Sequence, residues 1–120
     1  MARLVEARTK VFGLHRWRLY QREICEAALN GEDVFVVLPT GSGKSLCYQL
    51  PAIVDGGVTF IVAPLISLIQ DQVLAMTSFG VRAVALGEGV DFNISDWTDP
   101  NTPPPYNLAY ITVRCFFPCT

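Results

Sequence analysis

The stretch that most constrains this chain is an apolar run, residues 34–38, followed at once by a glycine-rich turn. The run reads Val-Phe-Val-Val-Leu, and such β-branched and aromatic residues predict a buried strand. Residues 39–45 then read Pro-Thr-Gly-Ser-Gly-Lys-Ser and are called the P-loop below. A helix is predicted over residues 44–49, ending or kinking at Pro51, because proline lacks a backbone N–H. Strand, glycine-rich turn and helix N-terminus together predict a phosphate-binding device.

Each residue type in the P-loop suits that chemistry. Gly41 and Gly43 permit the positive φ values and close backbone approach that a phosphate cradle needs. The N–H groups of the loop would face an anion at the positive end of the helix dipole. Lys44 offers a mobile cation for β- and γ-phosphates, and the Ser45 hydroxyl can ligate Mg²⁺. Because Leu38 stands where the longer Walker pattern begins with glycine, the match is to the shorter Thr-Gly-x-Gly-Lys-Ser form.

Composition limits the fold and the function classes. A chain of 120 residues is one small domain at most, and 51% hydrophobic against 17% charged residues predicts a packed core. The net charge of -2 gives no global basic field for nucleic acid. No apolar run reaches the roughly 18 residues of a spanning helix, and the N-terminus lacks the apolar region of a signal peptide. Four cysteines without metal-ligand spacing indicate reduced, mostly buried thiols of an intracellular protein, not a zinc site.

Alternating element signals predict an α/β fold. Residues 21–29 are predicted to form a helix with Ile24, Ala27 and Ala28 on one face. Strands are predicted at residues 58–63, 82–86 and 108–112, a helix at 66–79, a possible short helix at 91–97, and an extended loop at 99–105. The order of strands and helices implies a parallel sheet. Residues 1–11 form either a basic helix or a tail.

Three segments in order resemble RecQ-type DNA helicases of superfamily 2. The first runs over residues 12–21 and contains the aromatic-Arg-x-x-Gln pattern of Trp17, Arg18 and Gln21. The second is similar to helicase motif I and continues past the P-loop as Leu-Cys-Tyr-Gln-Leu-Pro over residues 46–51. The third, residues 62–73, is similar to motif Ia. The resemblance covers about residues 12–86.

This resemblance implies an incomplete RecA-like P-loop NTPase domain, with a parallel sheet and flanking helices. The implied organisation is a basic N-terminal tail at residues 1–11, a partial helicase ATP-binding domain at 12–112 and a divergent tail at 113–120. The implied activity is that of an ATP-dependent 3′–5′ DNA helicase with ATP and Mg²⁺ as cofactors. Single-stranded or forked DNA is the implied partner, and the nucleus the implied location. No membrane association is expected, and the sequence does not identify protein partners.

Site residues follow from the same resemblance. Gln21 would hydrogen-bond the adenine edge, for which an amide offers both a donor and an acceptor, and Arg18 would help to hold the nucleotide. Trp17 would either wall the adenine pocket or belong to the core. Pro64 and Ser67 of motif Ia would lie against a DNA phosphate, whereas the apolar residues of that motif pack against the sheet. The implied nucleotide set is Arg18, Gln21, Thr40, Gly41, Ser42, Gly43, Lys44 and Ser45, with Lys44 catalytic and Ser45 on the metal.

Two departures from the family pattern limit the expected activity. The family's Asp-Glu-x-His box, which supplies the carboxylates for Mg²⁺ and water, does not occur in the 120 residues. Val113 and Arg114 stand where a Pro-Glu pair is expected after the last strand. The chain alone is therefore expected to bind nucleotide without hydrolysing it.

Two other functions stay open. One is a non-catalytic nucleotide- or partner-binding module that competes with a full-length helicase. The other is a small P-loop kinase or unrelated NTPase, which is disfavoured because Arg82 and Arg114 are the only basic residues after Lys44.

Overall fold

The computed structural model describes residues 2–39, 41, 43–86, 95, 97 and 99–112. It divides into two compact units, Met1–Gly56 and Gly57–Thr120. The predicted divergent tail at 113–120 lies outside the described residues, as do Thr40, Ser42 and most of the possible helix at 91–97.

The first unit is helical. Its elements are α1 (Ala2–Lys10), α2 (Gln21–Leu29) and α3 (Leu46–Asp55), and both α1 and α2 pack against α3. Leu4, Cys25 and Leu50 contribute one fully buried side chain from each helix to the core between them. A hydrogen bond also joins α1 to α3. The Arg3 Nη2 atom donates to the Val54 carbonyl in the last turn of α3 at 2.6 Å. Of the two possibilities for residues 1–11, the structure therefore contains the helix.

The bounds of α2 agree with the prediction, but its buried face differs. Gln21 and Cys25 are the buried residues of α2, whereas Ala28 is exposed and Ile24 and Ala27 are half-buried. The apolar pattern was misleading because α2 directs Gln21 toward the P-loop and the Cys25 thiol toward α3. Both side chains find hydrogen-bond acceptors there, which removes the usual penalty for burying them.

The prediction offered either an end or a kink of the helix at Pro51, and the helix does not end there. Helix α3 begins at Leu46 and continues through Pro51 to Asp55. A proline inside a helix leaves the carbonyl four residues earlier without its backbone donor, and here that carbonyl belongs to Cys47. The Cys25 thiol of α2 lies 3.8 Å from the Cys47 oxygen and donates to it. A neighbouring helix thus satisfies the carbonyl that Pro51 leaves open.

The prediction of a buried strand at residues 34–38 was also wrong. No described residue pairs with this run as a strand, and the Phe35 and Val37 side chains are 93% and 79% exposed. A strand requires a neighbour to which its N–H and C=O groups can bond, so β propensity alone does not produce one.

The second unit contains a three-stranded parallel sheet. Its elements are β1 (Thr59–Val62), α4 (Ile66–Ser78), β2 (Ala83–Ala85) and β3 (Leu108–Ile111). The strand order is β1-β3-β2, and Leu108 is in register with Thr59 on one side and Ala83 on the other. All four residues of the central strand β3 are buried, and α4 packs against β2 and β3. These elements confirm the predicted α/β class, the parallel sheet and the three predicted strands that follow the P-loop.

The turn before α2 contains a strained residue. Tyr20 has φ 67° and ψ −6°, and the Gln21 N–H donates to the Arg18 carbonyl at 3.1 Å, as in a type II turn. The third position of a type II turn, here Tyr20, favours glycine. In this left-handed region of φ and ψ a Cβ atom raises the energy of the backbone by about 1–2 kcal/mol. Tyr20 is thus held in this conformation by the contacts that Arg18 and Gln21 make around it.

We expect Tyr20→Gly to be more stable than Tyr20→Ala by about 1 kcal/mol, because both remove the ring but only glycine relieves the backbone. Urea denaturation of the full chain, followed by circular dichroism, measures this difference. Equal stability of the two variants would contradict the assignment of strain to Tyr20.

Candidate nucleotide site

The P-loop is held from the outside by two side chains that precede or begin α2. Gln21 Nε2 donates to the Gly43 carbonyl at 3.0 Å, and Arg18 Nη1 donates to the Gly41 carbonyl. Both acceptors belong to glycines that the sequence singled out, and both donors were predicted to act at the nucleotide. The structure therefore brings the aromatic-Arg-x-x-Gln segment and the glycine turn together.

Both polar atoms of the Gln21 side-chain amide form hydrogen bonds. Its Oε1 atom accepts from the Arg18 backbone N–H at 2.8 Å, while its Nε2 atom donates to Gly43. The side chain is only 2% exposed. One N–H and one lone pair remain for a further partner, but a nucleobase can reach them only if the surrounding residues move.

Gly43 is a position where only glycine fits. Its φ is 80°, and a Cβ atom there would overlap Gln21 Nε2 and approach Arg18 Cδ to 3.3 Å. Gly41 has a similar φ of 85°, yet a Cβ atom on it would meet no other described residue within 4 Å. The conformation therefore restricts both positions, whereas close packing restricts Gly43 alone.

Two buried thiols lie beneath the loop. Cys47 Sγ donates to the Gly43 carbonyl at 3.9 Å, so this oxygen accepts from both Cys47 and Gln21. Burial raises the pKa of the Cys25 thiol to about 12, with the nearby Cys47 and Glu26 acting in the same direction. Burial also raises the pKa of the Cys47 thiol. Both thiols are thus protonated at neutral pH and act as donors, which agrees with the predicted free, buried cysteines for this pair; Cys115 and Cys119 lie outside the described residues.

Lys44 and Ser45 stand immediately before α3. The Lys44 side chain is exposed, and its ammonium forms no ion pair with any residue that the structure describes. Ser45 has helical backbone angles, and its hydroxyl makes no capping hydrogen bond. A cation, a hydroxyl and the positive end of the dipole of a ten-residue helix thus stand at one place, which is a suitable site for phosphate.

The motif Ia residues lie in the second unit. Strand β1 ends at Val62, and α4 begins at Ile66 after an exposed Pro64. Ser67 is exposed in the first turn of α4, and no side chain caps this helix, so its first N–H groups are open. The described part of this unit has Arg82 as its one basic residue. Pro64 and Ser67 therefore offer a helix N-terminus with little added positive charge.

The described residues contain no group of three His, Cys, Asp or Glu side chains that could hold a metal ion. Among the same residues, every helix is too short or too polar to cross a bilayer.

Comparison with known proteins agrees with this geometry. A family profile described as DEAD/DEAH box helicase matches residues 18–96, about two-thirds of the chain. The chain belongs to this helicase family. The matched region includes Arg18, Gln21, the whole P-loop, Pro64 and Ser67.

Similar individual proteins are RecQ-type helicases, which confirms the resemblance drawn from the motifs. The ATP-dependent DNA helicase Q-like 2 of Arabidopsis thaliana is 48% identical over 85 residues, covering 71% of this chain and 12% of that protein. The RecQ-like DNA helicase BLM of Xenopus laevis is 54% identical over 77 residues, 64% of this chain and 6% of that protein. The ATP-dependent DNA helicase RecQ of Haemophilus influenzae is 51% identical over 73 residues, 61% of this chain and 12% of that protein. The chain thus spans only a small part of these helicases.

Sequence reasoning missed the contacts of Cys25, Cys47 and Arg8 in this candidate site and left the role of Trp17 open. Cys25 and Cys47 were interpreted only as buried thiols, although proline four residues after Cys47 indicates a carbonyl in need of a donor. For Trp17 the sequence left two roles open, a wall of the adenine pocket or part of the core. In the structure the Arg8 guanidinium carbon lies 4.7 Å from the centroid of the Trp17 ring, so one face of the ring is covered. Arg8 gave no signal in the sequence, because its partners are a carbonyl and a ring and not a carboxylate.

We expect Gly43→Ala to destabilise the chain by about 2–4 kcal/mol, since it adds backbone strain and displaces the buried Gln21 amide. The matched control Gly41→Ala introduces the same backbone strain without a clash and should lower the free energy of unfolding by about 1 kcal/mol. Urea denaturation of both variants measures the difference. Equal losses would mean that the contact between Gln21 and Gly43 does not restrict this position.

Proposed function

We propose that this chain is the nucleotide-binding part of a RecQ-type ATP-dependent 3′–5′ DNA helicase that acts in the nucleus. The observation that carries the proposal is the pair of hydrogen bonds from Arg18 and Gln21 to the Gly41 and Gly43 carbonyls. These contacts join the two segments that, in the family, hold the base and the phosphates of ATP.

The contact at Gly43 supports phosphate binding through the geometry of the peptide group. In a trans peptide the C=O and the following N–H point in opposite directions. Since the Gly43 carbonyl points at Gln21 Nε2 and Cys47 Sγ, the Lys44 N–H points away from them. An anion on that side would meet this N–H, the open end of α3 and the Lys44 ammonium.

The remaining roles are assigned to the same residues. Gln21 recognises the adenine edge with its unused N–H and lone pair, once nucleotide binding has moved the residues that cover it. Thr40 and Ser42 are assigned to phosphate binding by the motif resemblance alone. The Ser45 hydroxyl would supply an oxygen ligand to Mg²⁺, and the bound ion would neutralise phosphate charge.

Hydrolysis is not expected of this chain by itself. The 120 residues contain no Asp-Glu-x-His box, so no carboxylate pair is available to hold the metal and orient the attacking water. The absence of such groups typically lowers the rate by several orders of magnitude. Unwinding of DNA is accordingly proposed for the longer helicase and not for the isolated 120 residues.

We expect the full chain to bind a fluorescent ATP analogue with Mg²⁺ in a saturable titration, and Lys44→Ala to weaken binding at least about tenfold, through loss of a charge-assisted phosphate contact. Lys10→Ala is the matched control, because it removes the same charge from an exposed ion pair with Glu6. Phosphate release should stay at background with and without single-stranded DNA. Equal weakening by both variants would contradict the nucleotide site, and DNA-stimulated release would contradict the proposed lack of hydrolysis.

We propose further that the start of α4 contacts a DNA phosphate through Ser67 and the open N–H groups, next to Pro64. Because the described part of this unit has so little positive charge, the backbone and the hydroxyl carry most of this contact. Such a contact positions the strand without reading its sequence.

We expect Ser67→Asp to weaken binding of a single-stranded oligonucleotide about threefold to tenfold, because a carboxylate at this position repels phosphate. The same substitution should keep or raise stability, since an acidic side chain suits a helix N-terminus. Thr77→Asp is the control: it adds the same charge about 15 Å further along α4, beyond the screening length of about 10 Å in 0.1 M salt. Fluorescence anisotropy measures the affinities. A loss of equal size for both variants would indicate a general charge effect and would contradict a contact at Ser67.

A further inference from the structure

Arg8 is a buried cation without an acidic partner among the described residues. Its residue is 8% exposed, and the part of the chain that the structure describes places no carboxylate within ion-pair distance of it. A charge is stable in such a place only if other groups replace its hydration. The groups that do so here lie in the segment between α1 and α2.

Two contacts of the Arg8 side chain engage this segment. The guanidinium carbon lies 4.7 Å from the centroid of the Trp17 ring, within the range of a cation–π contact. The Nε atom donates to the Leu14 carbonyl at 3.2 Å. A planar, weakly hydrated guanidinium can stack and donate at the same time, whereas an ammonium cannot reproduce both contacts.

The backbone of Arg8 engages the same segment from the other side. The Leu14 N–H donates to the Arg8 carbonyl at 3.1 Å, so Leu14 both gives a hydrogen bond to Arg8 and accepts one from it. The turn that leaves α1 is further closed by the Gly13 N–H, which donates to the Thr9 carbonyl at 3.1 Å. Residues 8–14 therefore form a closed loop with the Arg8 side chain across it.

The fixed segment leads directly to the nucleotide site. Trp17 is followed by Arg18, whose backbone N–H donates to Gln21 and whose side chain donates to the Gly41 carbonyl. Gln21 in turn donates to Gly43. Apart from the covalent link between Trp17 and Arg18, each step in this series is a direct hydrogen bond or ring contact.

We propose that Arg8 is a positioning residue for the nucleotide site: by holding Leu14 and Trp17 it places Arg18 and Gln21 against the P-loop carbonyls, and so sets nucleotide affinity. The effect on affinity rests on the proposed nucleotide-binding function, whereas the effect on the shape of the P-loop does not.

The first test compares nucleotide affinity of the full chain and its variants with a fluorescent ATP analogue and Mg²⁺. Arg8→Met keeps the apolar stem but loses the cation and the donor, and Arg8→Lys keeps the charge but loses the planar fork. We expect both to weaken binding by about fivefold or more. Arg3→Met is the matched control from the same helix, because Arg3 bonds α3 and not the segment before α2. It should change affinity by less than about twofold. Equal losses for Arg3→Met and Arg8→Met would overturn the proposal.

A double-mutant cycle separates positioning from general loss of stability. If Arg8 acts through Arg18 and Gln21, Arg8→Met should weaken binding by less than about twofold in a chain that already carries both Arg18→Met and Gln21→Met. The same fivefold loss in both backgrounds would overturn the proposal, because Arg8 would then act independently of these two residues.

Hydrogen exchange provides the measurement that does not need nucleotide. Without ligand, Arg8→Met should speed amide exchange in the P-loop, residues 39–45, at least about fivefold over wild type, and Arg3→Met should not. If wild type binds no analogue but this acceleration occurs, the proposed function fails and the positioning role stands. Unchanged exchange overturns the positioning role. If Arg8→Met loses its helical circular dichroism, Trp17→Leu removes the ring contact from the other side, and the same outcomes apply.

Discussion

The site depends on side chains that donate to carbonyl oxygens of a glycine turn. A P-loop offers N–H groups to an anion on one side, which leaves carbonyls on the other side that need donors. In this chain Gln21 and Cys47 both donate to the Gly43 carbonyl, and Arg18 donates to that of Gly41. The bonds fix which way these two carbonyls face without a ligand, and the proposed phosphate binding depends on this arrangement.

The need of buried carbonyl oxygens for a donor also explains how α3, the helix that follows the loop, can contain a proline. Pro51 removes a donor from α3, and the Cys25 thiol of α2 replaces it at the Cys47 carbonyl. Among the described residues no buried side-chain nitrogen or oxygen lacks a partner. A thiol is a weak donor, yet burial keeps it protonated, so it can serve one acceptor steadily. The helix–helix contact therefore contains polar pairs that fix the register of α2 against α3, beyond what apolar packing would specify.

Local signals in the sequence were sufficient to predict most helices, strands and motifs. They were insufficient where the conformation of one segment depends on contacts with another segment. The bounds of α2 follow from local signals, and the three strands of the parallel sheet were each predicted to within a few residues. The state of residues 34–38 could not be read locally, since a strand is defined by a neighbour that no described residue provides. In the site, Arg18, Gln21 and the glycines were identified through motif resemblance, whereas the carbonyls that Arg18 and Gln21 contact became evident only from the fold.

Within the first unit, helices hold the described part of the loop. The run before the P-loop has no strand neighbour among the described residues and exposes Phe35 and Val37, so it cannot supply a rigid support. The support comes from α2 and α3, whose side chains reach the Gly43 carbonyl, and from α1, which packs on α3 and holds the segment before α2 through Arg8. Because each of these contacts lies within residues 2–56, the described part of the loop is supported by helix packing inside the first unit. A change in those helices therefore alters the loop even when every residue of the loop itself is retained.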